Sequence, residues 1–305
     1  MTLSVGNLVW ITGGRLLTGP EETMVNGLAI DSRAAAPGAA FVAFVGEHAD
    51  GHAYIGDAIA HGARAVLVTR DDEDIRAAVA DAGRLEVALV AVPDALGAIQ
   101  ALASWHRDRL MCPVIGVTGS TGKTTTKDFL RSVLATRMRV VATEGNRNNE
   151  IGVPLTIAEA GPDTEALVVE MAMRGPGQIE HLCRLARPTA GLVTNVGISH
   201  VEILGSEEAV ALAKGELVEA VSSTGRVFLN GDDAWSARLA ECARAAVTLY
   251  GLGESADVRA RDVTVTAEGM PRFTLVSAEG SAEVTLPVAG RHNVYNALAA
   301  AAIGL

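Results

Sequence analysis

A glycine-rich segment between an apolar run and a helix-like run carries the clearest chemical signal in the sequence. It reads Gly116-Val117-Thr118-Gly119-Ser120-Thr121-Gly122-Lys123-Thr124-Thr125. In such a loop the backbone N–H groups wrap phosphates, the lysine reaches the β and γ phosphates, and the following hydroxyl ligates Mg²⁺. Val117 stands where the strict pattern has glycine, so this loop is a variant in which Gly119 relaxes the turn. The segment predicts an ATP-binding loop made of Gly119, Ser120, Thr121, Gly122, Lys123, Thr124 and Thr125.

Lysine is scarce in this chain. Of 25 basic residues only three are lysines, at positions Lys123, Lys127 and Lys214. Because arginine serves wherever a generic positive charge is needed, a retained lysine is a candidate for chemistry that a guanidinium cannot perform. Chance is an adequate explanation for Lys127 and a poorer one for the other two. This usage favours a phosphate loop over the alternative, a glycine-rich turn with an incidental lysine.

Polar side chains follow two further strand-like runs. The run 166–169 leads into Glu170, and the run 192–194 leads into Asn195 and then His200. Ligands of an open parallel sheet bind at the carboxyl ends of its strands, so we expect these residues beside the phosphate loop. A carboxylate there suits Mg²⁺, which prefers oxygen ligands. A histidine is a less usual Mg²⁺ ligand, and a capping or core role for His200 stays open.

Lys214 lies on the apolar stripe of a predicted helix over 207–222. Val210, Lys214, Leu217 and Val221 are spaced so that they share one helix face. Burial lowers the pKa of a lysine and leaves a nucleophilic neutral amine. Such an amine can take up CO₂ and become a carbamate, which is a bidentate metal ligand. A lysine that snorkels from the helix edge is an equally open interpretation.

Composition sets the class of protein. The chain has 305 residues, 49% hydrophobic and 4% aromatic, which is typical of parallel α/β sheets built from Ala, Val, Leu and Ile. The net charge, 25 − 36 = −11, argues against general nucleic-acid binding. Three cysteines without a CxxC pair predict neither a disulfide framework nor a zinc site. Without a signal-peptide pattern or an apolar run of ~18 residues, we expect a cytoplasmic protein that does not engage membranes.

The alternation of strand-like and helix-like runs predicts two domains of α/β class. Residues 1–108 alternate strand-like and helix-like runs, which indicates a small α/β domain. From residue 109 a second series predicts a doubly wound, mostly parallel sheet, and alternating runs over 258–288 predict a small antiparallel annex. The chain ends inside an Ala-rich helical run without capping residues, so we expect a further C-terminal domain outside it.

Several separated motifs together resemble the Mur ligase family, over essentially the whole chain. The segments that carry the resemblance are Asp31-Ser32-Arg33, Asp50-Gly51-His52, the phosphate loop with Lys127-Asp128, residues 143–156 (TEGNRNNEIGVPLT), Ala213-Lys214-Gly215-Glu216 and residues 290–296 (GRHNVYN). Two residues depart from the family pattern. Ala172 stands where glycine is usual and Gln178 where glutamate is common.

The resemblance implies a role for each matching residue. The implied catalytic residues are Lys123, Glu170, His200 and Lys214. The implied magnesium ligands are Thr124, Glu170, His200 and Lys214 as a carbamate. Further implied nucleotide contacts are His292, Asn293 and Asn296. Implied substrate contacts are Asp31, Ser32, Arg33 and His52 for the UDP group, with Asn146, Asn148 and Asn149 for orientation. From the residues alone, the first triplet could equally be a strand-end turn and the asparagines a polar turn.

The resemblance also implies the reaction. Segment 143–156 is similar to that of the family branch that adds D-alanyl-D-alanine to UDP-MurNAc-tripeptide, at the expense of ATP and through an acyl phosphate. ATP, Mg²⁺ and a carbamate on Lys214 are the implied cofactors, and a monomer is expected. Because the family's C-terminal domain holds the dipeptide and part of the ATP, this chain alone is expected to bind ligands without turnover. The alternatives are the sister ligase that adds the third amino acid, a kinase or nucleotide-dependent switch, and a non-catalytic nucleotide-binding fragment.

Overall fold

The computed structural model describes residues 1–46, 49–81, 87–197 and 201–305, which form two compact units. The first contains residues 1–110 and 154–162, and the second contains residues 111–153 and 163–305. The predicted boundary at 108/109 lies two residues from this division. The grouping of 154–162 with the first unit was not predicted. The ligand-binding roles assigned to the two domains stay predictions.

The first unit is a five-stranded α/β sheet with a separate two-stranded ribbon. Its elements are β1 (Thr2–Ser4), α1 (Val5–Thr12), β2 (Arg15–Thr18), β3 (Met24–Asn26), β4 (Leu28–Ala29), β5 (Ala40–Val42), α2 (Ile55–Ala60), β6 (Ala65–Val68), α3 (Glu73–Asp81), β7 (Ala88–Ala91) and α4 (Ala95–Arg107). The sheet order is β2-β7-β6-β5-β4, with only β2 antiparallel to its neighbour, and β1 pairs with β3. Buried side chains of the central strands and of α2 form its core.

Two hydrogen bonds explain why residues 154–162 belong to the first unit. The N-terminal ammonium of Met1 donates to the carbonyl of Ala158 at 2.7 Å, and the buried ring of His106 donates from Nε2 to the carbonyl of Ala160 at 2.7 Å. Burial lowers the pKa of His106, so its ring favours the neutral form. These contacts join positions more than fifty residues apart, which local sequence patterns do not report.

The second unit is built on one nine-stranded sheet. Its elements are β8 (Val114–Thr118), α5 (Lys123–Leu134), β9 (Val140–Ala142), α6 (Gly152–Glu159, shared with the first unit), β10 (Ala166–Glu170), α7 (Gln178–Ala186), β11 (Ala190–Val193), α8 (Val201–Leu204), α9 (Glu207–Ala220), β12 (Arg226–Asn230), α10 (Ser236–Glu241), β13 (Ala246–Gly251), β14 (Val258–Val265), β15 (Pro271–Ser277), β16 (Gly280–Thr285) and α11 (Asn293–Gly304). The order is β16-β15-β14-β13-β12-β11-β8-β10-β9. Strands β8 to β14 are parallel and the last two are antiparallel, so the predicted annex continues the main sheet through β14. The predicted fold class is confirmed.

Helices cover both faces of this sheet, which is why its central strands are continuous apolar runs. Strands β8 and β10 are buried at every residue. Side chains alternate between the faces: Phe228 of β12 joins the cluster that contains α5 and α11, whereas Val227 and Leu229 join the cluster under α9 and α10. No helix in the described ranges is long and apolar enough to cross a membrane.

Candidate nucleotide-binding active site

The loop between β8 and α5 has a backbone that requires glycine at two positions. Gly119 has φ +148° and Gly122 has φ +79°, values that side-chain-bearing residues rarely adopt. A Cβ at Gly119 would overlap Thr194 Oγ1, and one at Gly122 would lie 2.7 Å from Asn296 Oδ1. Val117, the departure from the strict pattern, is buried within β8 and lies outside the loop. The variant motif therefore forms a tight strand-to-helix turn without glycine at that position.

The end of the neighbouring strand β11 holds this loop in place. Thr194 Oγ1 donates to the carbonyl of Thr121 at 2.6 Å, and the Thr121 N–H donates to Asn195 Oδ1 at 3.0 Å. Asn195 Nδ2 donates back to the Thr121 carbonyl at 3.0 Å, while the Ser120 N–H donates to the Asn195 carbonyl at 3.0 Å. Asn195 was predicted at this edge, and its contacts show that it supports the loop.

Lys123 begins helix α5 and points back along the loop. Its Nζ donates to the Gly119 carbonyl at 2.8 Å. Burial lowers the pKa of Lys123, and the negative charge of Glu170 opposes that shift. Thr124, the next residue, is exposed, and Thr125 is half-buried. The N-terminus of α5 thus presents an ammonium and an accessible hydroxyl, where the helix dipole also favours an anion.

Glu170 is a buried carboxylate at the end of β10, paired beside Val117 of β8. Its Oε1 accepts a hydrogen bond from Asn148 Nδ2 at 2.7 Å, and its backbone N–H donates to Thr143 Oγ1 at 3.0 Å. Its Oε2 is the one buried side-chain polar atom with no hydrogen-bond partner in the described part of the chain. A buried carboxylate oxygen without a donor is unfavourable, so this atom is suited to receive a cation.

Lys214 is 1% exposed on helix α9, between the buried Val210 and Leu217. Burial, with a smaller contribution from the charge of Lys123, lowers the pKa of Lys214 to about 8. Lys123 thus interacts electrostatically with both Glu170 and Lys214, so the structure brings these three predicted residues together. The helix ends at Ala220, two residues before the predicted end, because Val221 turns to an extended conformation. The fourth predicted catalytic residue, His200, lies outside the described residues.

Helix α9 approaches the sheet closely because two adjacent strands carry glycine beneath it. A Cβ at Gly116 of β8 would lie 2.8 Å from Leu217 Cδ1, and a Cβ at Gly191 of β11 would lie 3.2 Å from Leu217 Cγ. Glu216, in the segment that resembles the family's magnesium positions, accepts the N–H groups of Gly177 at 2.6 Å and Glu180 at 2.9 Å. Its side chain therefore caps helix α7.

The three predicted substrate-orienting asparagines border a cavity of about 640 Å³ within the second unit. Asn148 contacts Glu170, whereas Asn149 Oδ1 accepts the N–H groups of residues 151 and 152, which caps helix α6. Asn146 is exposed. The two departures from the family pattern also line this cavity. Gln178 Oε1 accepts the Arg174 N–H at 2.6 Å, so it orders the loop that follows Ala172.

The predicted nucleotide contacts near α11 have mainly internal partners. Asn296 Oδ1 accepts the Thr126 hydroxyl at 3.0 Å, and its Nδ2 donates to Asn293 Oδ1 at 2.9 Å. Asn293 Nδ2 donates to the Ala289 carbonyl at 2.8 Å. His292, by contrast, is exposed. Asn296 therefore joins helix α11 to helix α5, and a nucleotide contact by any of the three stays a prediction.

The predicted UDP contacts form a local cluster of turns in the first unit. Asp31 caps a 3₁₀ turn over Ser32–Ala34, and its carboxylate makes a two-pronged pair with Arg33 at 2.9 and 2.7 Å. The hydrogen bonds from Arg33 lower the pKa of Asp31 to about 2. His52 is buried, with Nδ1 2.6 Å from an Asp50 oxygen and Nε2 accepting the Thr69 N–H at 3.2 Å. Because both ring nitrogens are used, His52 orders its loop.

Sequence reasoning missed three residues that organise this edge of the sheet. Thr194 clamps the phosphate loop, and Thr143 binds the backbone of Glu170. Lys127, for which chance seemed adequate, is buried against the Thr143 carbonyl. Lysine scarcity is the sequence signal for Lys127. Thr143 stands in the segment 143–156 that resembles the family, whereas Thr194 has no such signal, because threonine is common at strand ends.

Two family models match this chain. The Mur ligase middle domain matches residues 117–304, and the model described as Mur ligase family, catalytic domain matches residues 24–104. Both matches agree with the resemblance inferred from the motifs.

Curated relatives and solved structures of the same family are also similar to this chain. The chain is 39% identical to the UDP-N-acetylmuramoyl-tripeptide–D-alanyl-D-alanine ligase of Bacillus subtilis over 93% of this chain and 59% of that protein. It matches a crystal structure of MurF from Acinetobacter baumannii with a TM-score of 0.85 and 29% identity, over 100% of this chain and 66% of that one. It also matches MurF from Thermotoga maritima in complex with ADP, with a TM-score of 0.74 and 28% identity, over 92% and 62%. The chain thus spans about three fifths of the length of its curated relatives.

Proposed function

This chain belongs to the Mur ligase family, and from that premise we propose that it supplies the UDP-sugar-binding and ATP-binding parts of a ligase. The proposed reaction joins D-alanyl-D-alanine to UDP-MurNAc-tripeptide in cytoplasmic peptidoglycan precursor synthesis. The observation that carries the proposal is the buried carboxylate of Glu170, whose Oε2 has no donor, at the end of the strand next to the one that leads into the phosphate loop and Lys123. Likeness to relatives named for this reaction supports the choice of substrates.

The phosphate loop has the parts that bind a triphosphate. Backbone N–H groups at the start of α5 and the ammonium of Lys123 would hold the phosphates, and the loop is already ordered by Thr194 and Asn195. Phosphoryl transfer depends on positioning and charge neutralisation more than on covalent help from the protein. A loop that is already ordered therefore supplies much of the positioning that phosphoryl transfer needs.

Glu170 fits a role as a magnesium ligand. Its Oε2 is buried without a donor, and Mg²⁺ prefers oxygen ligands. Thr124, with its exposed hydroxyl, is a further proposed ligand, as are His200 and the carbamate of Lys214. No group of three or more His, Cys, Asp or Glu side chains that could hold a metal ion occurs among the described residues. Bound Mg²⁺ would offset the like-charge repulsion between acceptor carboxylate and triphosphate.

Lys214 is suited to carbamylation. With its pKa lowered to about 8, about a tenth of this amine is neutral at pH 7, and the positive charge of Lys123 contributes to that shift. The neutral amine would add to CO₂, forming an N–C bond and releasing one proton. The product is an anion that Lys123 stabilises. The ¹³C NMR spectrum of the chain in ¹³C-bicarbonate tests this: a carbamate signal is expected in the wild type and not in Lys214→Met.

The remaining steps involve the two substrates. The terminal carboxylate of the tripeptide would attack the γ-phosphorus of ATP, and ADP would leave. The amine of D-alanyl-D-alanine would then attack the acyl phosphate, releasing inorganic phosphate and a proton. We assign the UDP group to the turn at Asp31, Ser32 and Arg33. We assign the peptide end to the cavity beside Asn148, with Asn146 and the backbone shaped by Asn149 at its border.

Ligand binding by the 305-residue chain tests the nucleotide part of this proposal. Isothermal titration calorimetry is expected to show ATP binding that strengthens with Mg²⁺. Glu170→Gln should remove most of that Mg²⁺ dependence. Glu165→Gln is the matched control, because Glu165 is an exposed carboxylate immediately before the opposite end of the same strand. Mg²⁺ dependence that survives Glu170→Gln would contradict the assignment of Glu170.

Amine dependence tests the substrate. The chain, joined after Leu305 to the C-terminal segment of the Bacillus subtilis relative, is supplied with ATP, Mg²⁺ and UDP-MurNAc-tripeptide. Phosphate release is expected with D-alanyl-D-alanine. If phosphate release instead needs lysine or diaminopimelate as the amine and UDP-MurNAc-dipeptide as the acceptor, the chain belongs to the sister ligase.

A further inference from the structure

Lys127 is a buried ammonium in the second unit that the proposed reaction does not use. It lies on α5, one turn after Lys123, and is 3% exposed. Its Nζ donates to the Thr143 carbonyl at 2.7 Å and lies 3.0 Å from a carboxylate oxygen of Asp128. Asp128 itself is largely exposed. A buried ammonium is tolerated only when it is well bonded, so the contact with Thr143 anchors this side chain.

Thr143 transmits this contact to the strand that carries Glu170. It follows β9, and its Oγ1 accepts the backbone N–H of Glu170 at 3.0 Å. Its own N–H donates to the Val168 carbonyl at 2.9 Å. Thr143 is therefore bonded to β10 on either side of Val169 and to α5 through its carbonyl. Helix α5 and the Glu170 end of β10 are joined through one buried residue.

We propose that Lys127 is a positioning residue that, through Thr143, sets the Glu170 carboxylate relative to the first turn of α5. This inference rests on the proposed function, in which Glu170 and Thr124 share a magnesium ion. Helix α5 carries Thr124 in its first turn and Lys127 in its second. The contact at Lys127 therefore fixes the helix against the Glu170 strand close to both ligands. A compact ammonium fits this contact with the buried carbonyl, whereas the planar fork of arginine needs a wider site.

The test measures the Mg²⁺ concentration that gives half-maximal ATP binding to the 305-residue chain, together with its melting temperature. Lys127→Met and Thr143→Val are each expected to raise that Mg²⁺ midpoint about tenfold, the typical effect of losing a residue that orients a metal ligand. ATP affinity measured in EDTA should stay at the wild-type value. Thr143→Ser keeps the hydroxyl and should restore the wild-type Mg²⁺ midpoint.

Two controls separate positioning from stability. Asp128→Asn removes the exposed ion pair but leaves the Thr143 contact, so the Mg²⁺ midpoint should not change. Leu130→Ala removes a buried side chain from the same helix, so it should lower the melting temperature without moving the midpoint.

The outcomes distinguish this inference from the proposed function. If Lys127→Met folds and keeps the wild-type Mg²⁺ midpoint, Lys127 is only structural and the inference is wrong, whatever the melting temperature. If Lys127→Met does not fold, Thr143→Val tests the link between Thr143 and Glu170 alone, because it keeps the carbonyl that Lys127 contacts and removes only the hydroxyl; a wild-type Mg²⁺ midpoint in that variant overturns the inference. Wild-type ATP binding that is indifferent to Mg²⁺ would overturn the proposed function and this inference together.

Discussion

Replacing Lys214 by methionine should change how stability depends on pH. The pKa of Lys214 falls from 10.5 to about 8 on folding. Between these values the unfolded chain binds more protons than the folded chain, so the free energy of unfolding rises with pH. Burying the Lys214 amine therefore destabilises the folded chain. This destabilisation is fully present below pH 8 and is relieved as the pH approaches 10.5. The shift, 10.5 − 8 = 2.5, corresponds to about 3 kcal/mol at pH 7, of which about 1 kcal/mol is regained by pH 9.

Lys214→Met keeps an unbranched apolar side chain and removes the titrating amine. In CO₂-free buffer the variant should be more stable than the wild type at pH 7, by up to about 3 kcal/mol. The difference should shrink by about 1 kcal/mol at pH 9. Urea unfolding measures the difference, and hydrogen exchange of helix α9 assigns it to the second unit. Leu212→Met, on the exposed side of the same helix, is the control and should show no such pH dependence.

Two results would refute this reasoning. A difference that is constant from pH 7 to pH 9 would mean that the Lys214 amine does not titrate with a lowered pKa. A Lys214→Met variant less stable than the wild type at pH 7 would mean that the amine makes a net favourable interaction in the folded protein.

Three further substitutions test the loop, the turn in the first unit and the end of β11. Gly122→Ala should weaken ATP binding at least tenfold, because strain and a clash together cost at least about 1.4 kcal/mol; Gly27→Ala, with the same positive φ but open space around it, should leave ATP binding unchanged in the same calorimetric titration. Arg33→Ala should weaken UDP binding about tenfold by titration while leaving the urea midpoint nearly unchanged, since its ion pair is exposed. Tyr250→Phe should destabilise the second unit by about 1 kcal/mol in urea unfolding, because burial raises the pKa of this hydroxyl and keeps it a donor to two strand-end carbonyls at 3.2 Å.

The phosphate loop and the apolar helix face that contains Lys214 could be predicted from the sequence, because each depends on residues that are neighbours along the chain. Loop glycines, a strand before them and a helix after them lie within a few residues of one another. The stripe follows from the helical period. Most of the parallel strands were also predicted, since strands buried on both faces are continuous apolar runs.

Other elements of the fold left little local signal. Strands β1, β2 and β3 were not predicted, because strands of three or four residues at an edge bury few residues. Asn149 could be assigned to a substrate or to a turn, and the structure shows that it caps helix α6. The grouping of 154–162 with the first unit depends on bonds from Met1 and His106.

By itself, the sequence determined the α/β class, the position of the phosphate loop and the family, because each of these is expressed in residues close together along the chain. Only the tertiary structure decided that Glu170 Oε2 has no donor, that Lys127 is bonded to Thr143, and that Lys123 interacts with both Glu170 and Lys214. Those properties depend on side chains from different strands and helices meeting at one edge of a sheet. Burial and partner geometry at that edge, which set hydrogen bonding and pKa, arise only when the strands are paired.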